Sequence, residues 1–264
     1  MDSSFHDRLA VQAMRLGVSP ADLLRLSIPV TLPAETLVLK SSSAPAPLVI
    51  CLHPGRLCEF QCAQRLRDLV RLRAHIAFPR GLHPQEVDLG GARTVGYGWY
   101  HYTGDNPAFR SSIAAAAEYI ERVLDRLFAE LPVRREAVFL VGAEETSLLS
   151  VVLAMRRPSA IAGAILFDGS LPSEVLADLA PEARTTEFLR VRRSMRWPVQ
   201  RPPSDRGADE LRRLGYPVEL HLLETSDTRW HEESELLIEW LAEKLGIQLE
   251  EPRPRPHDQP FASP

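Results

Sequence analysis

The sequence predicts an α/β protein in which helices cover both faces of a mostly parallel central sheet. From about residue 35 onward, short apolar runs alternate with longer segments of helical periodicity. Strands that alternate with helices at this spacing are typical of parallel sheets. The run PLVICLH at 47–53 has no polar residue between its ends, as expected of a strand that is buried on both faces. A length of 264 residues is sufficient for one such domain.

The individual elements follow from the same patterns. Apolar or β-branched runs predict strands at 35–40, 47–53, 75–79, 137–142, 161–169, 185–193 and 217–224. Helical periodicity predicts helices at 58–73, 109–131, 144–157, 208–215 and 231–246. Residues 80–109 are rich in glycine and aromatic residues, and we expect a long connection there.

The chain divides into three parts. Residues 1–34 are expected to form an N-terminal helical extension, because Leu9, Ala13 and Leu16 have helical spacing and SPAD at 19–22 is a helix start signal. Residues 35–247 form the α/β domain. Residues 248–264 are rich in proline and lack apolar periodicity, so we expect a disordered tail.

Composition excludes several functional classes. The formal charge of −4 and the 45% hydrophobic content describe an ordinary globular protein, with no basic excess for a nucleic-acid partner. No apolar run approaches the roughly 20 residues that span a bilayer. The three cysteines are odd in number and closely spaced, which favours reduced thiols in a cytoplasmic protein.

A metal site is also not expected. His53 lies near Cys58 and Cys62, which have i, i+4 spacing on a predicted helix. Structural zinc sites need four ligands, and the sequence offers no second cluster. We therefore expect buried or half-buried thiols, and neither a metal nor a cofactor.

Several motifs, in order, resemble one protein family. PLVICLHPG, AFPRG, GYGWYHY, VFLVGAEET, GAILFDGSLP and GYPVELHLLE followed by His231 are similar to motifs of the phospholipase/carboxylesterase group of α/β-hydrolases. That group includes acyl-protein thioesterases and small bacterial esterases. The resemblance covers roughly residues 35–246. It implies an α/β-hydrolase fold and an ester or thioester hydrolase that works through Ser, Asp and His.

The catalytic triad that this resemblance implies is degenerate. Carried over by position, the nucleophile becomes Glu144 and the acid falls on or near Arg196, whereas the histidine remains as His231. Asp168, at the C-terminal end of a predicted strand, could substitute for the missing acid. No serine replaces the nucleophile at the turn.

The turn around Glu144 departs from the G-x-S-x-G pattern. A carboxylate that attacks an ester would form an anhydride, whereas carboxylate nucleophiles suit alkyl halides and epoxides. Thr146 stands where the second glycine would be, and its branched Cβ leads us to expect a wider, relaxed turn. We further hypothesise that Glu144 pairs with His231 or with an arginine among Arg192, Arg193 and Arg196.

The predicted pocket surrounds this turn. Pro54 replaces the first glycine of the oxyanion loop and has no N–H, but the N–H groups of Gly55 and Arg56 could still bind an anion. Trp230 could fill the acyl channel, since a tryptophan buries about 150–250 Å². The expected pocket also contains His53, Trp99 and Glu145.

Two functions remain open. The first is a pseudoenzyme that keeps the scaffold and binds a small acyl or ester-like ligand or a partner protein, without serine hydrolase activity. The second is an active carboxylic-ester or other hydrolase that uses a non-standard nucleophile with His231 as base. A homodimer is compatible with either.

Overall fold

A computed structural model describes residues 34–89, 92–101, 106–177, 185–194, 205–224 and 230–249. The predicted extension up to residue 33, the tail from residue 250 and the acid position Arg196 lie outside the described residues. Within them, no helix is long and apolar enough to cross a membrane.

The described elements alternate between strand and helix along the chain. In order they are β1 Thr36–Leu39, β2 Ala46–Leu52, α1 Glu59–Arg65, a 3₁₀ helix Arg67–Leu72, β3 His75–Pro79, β4 His83–Leu89, β5 Ala92–Gly98, α2 Asn106–Glu130, β6 Val133–Ala143, α3 Glu145–Arg156, β7 Gly163–Phe167, α4 Ser173–Ala177, β8 Glu187–Ser194, α5 Arg206–Arg213, β9 Val218–Glu224 and α6 Trp230–Leu245.

Seven strands form the central sheet in the order β1-β3-β2-β6-β7-β8-β9. Every pair is parallel except β1 with β3 at one edge. The prediction of a mostly parallel sheet is therefore confirmed.

Two hydrophobic cores lie on opposite faces of this sheet. Alternate residues of β2 divide between them: Leu48 and Ile50 face the core with α2 and α3, whereas Val49 and Cys51 face the core with α1 and α6. This alternation is the two-residue period of a strand. The residues between the ends of β2 are apolar because both faces are covered.

The long connection expected at 80–109 contains a β-hairpin. β4 and β5 pair antiparallel, with His83 opposite Gly98. The sequence signal was Gly90-Gly91 between two runs of strand-like residues. The hairpin also contacts the loop after β2, because Tyr97 exchanges backbone hydrogen bonds with Arg56 and Leu57.

The helix predicted over 58–73 is divided. α1 ends at Arg65 and a 3₁₀ helix follows. Leu66, Leu69 and Leu72 recur every third residue and are all buried. A 3₁₀ helix places such residues on one face, and an α-helix would turn them progressively away from the core.

Candidate functional site

An open cleft of about 1310 Å³ lies at the carboxyl ends of the central strands, where open α/β sheets usually bind ligands. Its apolar lining comes from Tyr100, Phe109, Leu148 and Leu171. Its charged lining includes the two glutamates of the turn after β6, together with Glu174, Arg190, Arg192 and Asp205.

The predicted nucleophile position, Glu144, lies in the turn between β6 and α3. Glu144 has φ 57° and ψ −120°, a backbone conformation that costs a residue other than glycine about 1–3 kcal/mol. Its N–H donates to the carbonyl oxygen of Phe167 over 2.8 Å, and its side chain is exposed and lines the cleft. The expectation of a wider, relaxed turn was wrong: the sharp, strained turn of the G-x-S-x-G pattern persists without its serine.

Two glycines permit the close approach that this turn needs. A Cβ added at Gly142 would lie 2.4 Å from the carbonyl oxygen of Thr146, and one added at Gly169 would lie 2.0 Å from that of Glu144. Since both contacts are with backbone, no side-chain rotation could relieve them. Neither position therefore has room for a residue larger than glycine.

Thr146 stabilises the turn although it replaces a glycine. Its side chain is fully buried, and its hydroxyl accepts from the Ala143 N–H over 2.8 Å. The hydroxyl oxygen also lies 2.8 Å from the Ala143 carbonyl and 3.2 Å from the Leu52 carbonyl, either of which it can donate to. The branched Cβ of Thr146 predicted a relaxed turn. The turn stays sharp because the Thr146 hydroxyl connects it to β2.

The carboxylate of Glu145 lies at the predicted oxyanion position, against Gly55. In this type of turn the oxyanion is held by the N–H of the residue after the nucleophile and by an N–H from the loop after an earlier strand. Here these groups are the N–H of Glu145 and the N–H of Gly55, and both favour the ionised carboxylate of Glu145, lowering its pKa. A Cβ added at Gly55 would lie 2.2 Å from Glu145 Oε1, so the carboxylate lies directly against that glycine.

This carboxylate is held in an unfavourable environment. Burial raises the pKa of Glu145, and the charge of Glu144 raises it further, although the two N–H donors oppose the shift. Tyr100 packs on the same turn and donates its hydroxyl to the Glu145 carbonyl oxygen over 2.7 Å. Burial and the charge of Glu145 together raise the pKa of Tyr100.

The other predicted donor is not free. The Arg56 N–H donates to the Tyr97 carbonyl over 3.0 Å, and Arg56 itself has φ 70°. Pro54 has no N–H to donate. Of the loop donors predicted from the sequence, Gly55 alone contributes to the oxyanion position.

His53 and Trp99 support this loop from the core and do not line the cleft. Both are fully buried. The His53 Nδ1 donates to the Pro54 carbonyl over 2.9 Å and its Nε2 accepts from Gly81 N–H over 3.0 Å, while Trp99 donates to the His53 carbonyl over 2.8 Å. Burial lowers the pKa of His53. The cleft therefore does not form around these two side chains as expected.

A buried ion pair near the cleft was not predicted from the sequence. Arg190 and Asp205 are both buried, and Arg190 Nε donates to Asp205 Oδ2 over 2.9 Å. Arg190 also donates to the carbonyl oxygens of Asp168 and Gly169. Asp205 in turn accepts from the first N–H groups of α5, so the pair joins β8 to α5 and to the loop after β7. Only the helix-cap pattern of Asp205 could have indicated it.

The surrounding acids and arginines pair with one another. Arg192 lies 3.3 Å from Asp205 Oδ2 and 3.8 Å from Asp168 Oδ1. Burial opposes ionisation of Asp205, but the charge of Arg190 and the Ala208 N–H hold its pKa below the ordinary value. Asp168, the predicted substitute acid, thus faces Arg192.

The remaining triad positions are only partly described. Trp230 and His231 are the first residues of α6, but their side chains and Arg196 lie outside the described part. Within the described part, no hydrogen bond or ion pair to the Glu144 side chain is found, and Arg192 pairs with aspartates instead. Pairing of Glu144 with His231, Arg193 or Arg196, whose side chains lie outside the described part, stays a prediction.

The cysteines are free thiols. Cys51 and Cys62 are buried and Cys58 is half-buried. Burial raises the pKa of Cys51 and raises that of Cys62 to about 12. In the described ranges, no group of three or more His, Cys, Asp or Glu could hold a metal ion.

Comparison with known proteins identifies similar folds at low sequence identity. The esterase PE8 is 19% identical, with 80% of this chain and 99% of that one covered and a TM-score of 0.63. The Bacillus cereus carboxylesterase is 15% identical, with 80% and 94% covered and a TM-score of 0.57. The Zea mays acyl-protein thioesterase 2 is 16% identical, with 81% and 100% covered and a TM-score of 0.57. No protein-family model and no curated protein matches the chain.

These neighbours agree with the observed topology. The mostly parallel sheet with helices on both faces agrees with the fold of these carboxylesterases and acyl-protein thioesterases. Coverage of nearly their whole length means that the resemblance is not confined to one motif. The chain therefore has the α/β-hydrolase fold.

Proposed function

We propose that this protein is a non-hydrolytic member of the esterase-like α/β-hydrolases that binds a small acyl or ester-like ligand in the cleft after β6. The observation that carries the proposal is the pair of carboxylates at the turn. Glu144 replaces the attacking hydroxyl, and the carboxylate of Glu145 fills the oxyanion position.

Both substitutions oppose acyl transfer. The reaction needs an alcohol or thiol nucleophile and an empty pair of N–H donors for the tetrahedral oxyanion. A carboxylate in the donor pair excludes that oxyanion, and two adjacent negative charges repel it. Removal of one oxyanion-hole donor already costs about 10²–10³ in kcat, and here the Glu145 carboxylate lies against Gly55, whose N–H is one of the two expected donors.

The cleft nevertheless remains suitable for binding. Its volume of about 1310 Å³ and its mixed apolar and charged lining accommodate a small molecule. The buried free thiols Cys51 and Cys62 support a reducing compartment such as the cytoplasm.

Hydrolysis of p-nitrophenyl butyrate by wild type, Glu144→Ser and His231→Ala tests the proposal. We expect the wild-type rate to equal that of His231→Ala and of the buffer blank. Wild-type hydrolysis that is lost in His231→Ala would overturn the proposal. Glu144→Ser tests whether a hydroxyl alone restores activity, and we expect that it does not, because Glu145 still occupies the donor pair.

The strained turn favours one second candidate, a hydrolase with a carboxylate nucleophile. Glu144 is exposed to the cleft at a conformation that strains the backbone, and such strain is typical of functional residues. In this reaction a Glu144 oxygen attacks an alkyl carbon and a halide leaves, and water then adds to the ester carbonyl and releases the alcohol.

Halide release from short bromoalkanes separates the two candidates. A carboxylate nucleophile predicts bromide release that Glu144→Gln abolishes. A single turnover in ¹⁸O-labelled water would then leave the label in the Glu144 carboxylate. Absence of bromide release from wild type excludes this candidate and leaves the binding protein.

A further inference from the structure

The oxyanion position contains a group that belongs to the chain itself. Glu145 is the first residue of α3, so its N–H has no acceptor within the helix. This N–H and that of Gly55 both favour the ionised Glu145 carboxylate, and its Oε1 would lie 2.2 Å from a Cβ added at Gly55. The pocket is therefore assembled, but it is filled by a tethered anion.

We propose that Glu145 is an internal, displaceable ligand that closes an otherwise functional anion pocket, and that the cleft binds a carboxylate or similar oxyanion only when this side chain leaves. This inference rests on the proposed function, because it concerns the ligand class of the same cleft. The shared chemistry is a planar or tetrahedral oxyanion that accepts two backbone N–H groups.

The contacts around Glu145 allow it to leave. Its backbone is fixed by the Tyr100 hydroxyl, which donates to the Glu145 carbonyl, whereas the carboxylate lies against the backbone of Gly55 and faces the negative charge of Glu144. The side chain is half-buried and lines the open cleft. A rotation about its side-chain bonds would therefore expose the donor pair without moving α3 or the turn.

The displaced carboxylate and an incoming anion compete for the same two donors. The tethered group wins at low ligand concentration, since its association costs no translational entropy. A ligand anion must also overcome repulsion from Glu144. Glu145 thus sets a threshold affinity for anionic ligands, and truncation of its side chain removes that threshold.

Butyrate binding, followed by NMR titration of the backbone N–H signals of residues 55 and 145 above neutral pH, tests this inference. The parent variant is Glu144→Gln, which removes the repulsion by Glu144. Glu144→Gln/Glu145→Ala should bind butyrate at least about tenfold more tightly than the parent, because two hydrogen bonds to a charged group become available. Both N–H signals should shift on binding.

Two further variants distinguish displacement from simple loss of charge. Glu144→Gln/Glu145→Gln removes the charge but keeps a side chain that fills the pocket, so we expect little gain. Glu144→Gln/Glu174→Ala removes a charge elsewhere in the cleft and should also gain little. An equal gain in either control, or no gain with Glu145→Ala, would overturn the inference.

The butyrate titration and the ester-hydrolysis assay can each fail without the other. Wild-type ester hydrolysis that depends on His231 would refute the non-hydrolytic proposal, whereas the butyrate titration concerns the donor pair alone. Should Glu145→Ala fail to fold, Glu145→Asp provides the same test. Its carboxylate is one methylene shorter and cannot fill the pocket as well, so we expect a smaller gain in the same direction.

Discussion

At the scale of single residues, the site is defined by two neighbouring carboxylates with different environments. Glu144 points into the cleft, whereas Glu145 is turned back onto the backbone and is half-buried. A family resemblance could assign Glu144 to the nucleophile position from sequence alone. It could not show the position of Glu145, because side-chain rotation at the start of a helix leaves no periodic signal in the sequence.

The raised pKa of Glu145 makes stability depend on pH in a defined direction. A carboxyl group whose folded-state pKa is raised stabilises the folded state relative to a non-titrating residue below its unfolded pKa, and that stability is lost as pH rises through the folded pKa. Glu145→Gln cannot titrate. Its unfolding free energy relative to wild type should therefore increase as pH rises above 4.5, the ordinary pKa of a glutamate.

Urea unfolding of wild type and Glu145→Gln at about pH 4 and about pH 8 measures this difference, which we expect to grow by about 1.4 kcal/mol per unit of pKa shift. Gly55→Ala provides the control, because its Cβ would contact Glu145 Oε1 at 2.2 Å and push the carboxylate outward. In that background the pH dependence should shrink. A difference that is constant with pH would contradict the assigned environment.

At the scale of elements, the turn from β6 to α3 keeps its strained form although two of its usual residues are replaced. Gly142 and Gly169 provide the space, and the Thr146 hydroxyl provides hydrogen bonds. α3 is buried over ten consecutive residues from Thr146 to Met155, so it is fixed by packing on all sides. The strained turn forms because the packing of α3 and the close approach at the two glycines fix its ends, and neither requires a serine.

The Thr146 hydroxyl should contribute measurably to this turn. Thr146→Val preserves the shape but leaves the buried Ala143 N–H without its acceptor, and we expect the free energy of unfolding to fall by about 1–3 kcal/mol. Thr146→Ser, which keeps the hydroxyl, is the matched control and should cost less. Chemical denaturation of the three proteins provides the comparison, and a larger loss in the serine variant would refute the assigned role.

The Arg190–Asp205 pair connects β8, α5 and the loop after β7. Because both side chains are almost fully buried, Arg190→Met removes the nearer arginine from the Asp205 carboxylate and leaves it with Arg192 and the first N–H groups of α5. We expect this change to cost about 3–5 kcal/mol. The control is Arg192→Met: its side chain is 41% exposed and approaches the same carboxylate, so we expect about 0–1 kcal/mol. Equal costs in urea unfolding would show that burial does not determine the contribution of this pair.

At the scale of the whole molecule, the sequence predicts those strands and helices whose burial leaves a recognisable pattern of apolar residues. β2, β3 and β7 are buried on both faces and were visible as continuous apolar runs. The β4–β5 hairpin escaped detection because it lies outside the central sheet and carries polar residues along both strands. The 3₁₀ helix was missed because a three-residue period over a short segment resembles an α-helix.

The candidate site was less predictable than the fold for a related reason. The position of Glu144 follows from chain order, which the sequence contains directly. The exclusion of His53 and Trp99 from the cleft depends on which side of a loop each ring packs, and the Arg190–Asp205 pair joins residues in separate elements. Such contacts become visible only when the elements are packed together.

The absence of a serine nucleophile is tested most directly by covalent labelling of the wild-type protein with a fluorophosphonate, followed by intact-mass measurement. The reagent forms a stable adduct with an activated serine and places its phosphonyl oxygen in the oxyanion position. With carboxylates at both positions, we predict no mass increase under conditions that label an active esterase completely. A stoichiometric adduct on any serine of the cleft, such as Ser170 or Ser173, would contradict the proposed non-hydrolytic function.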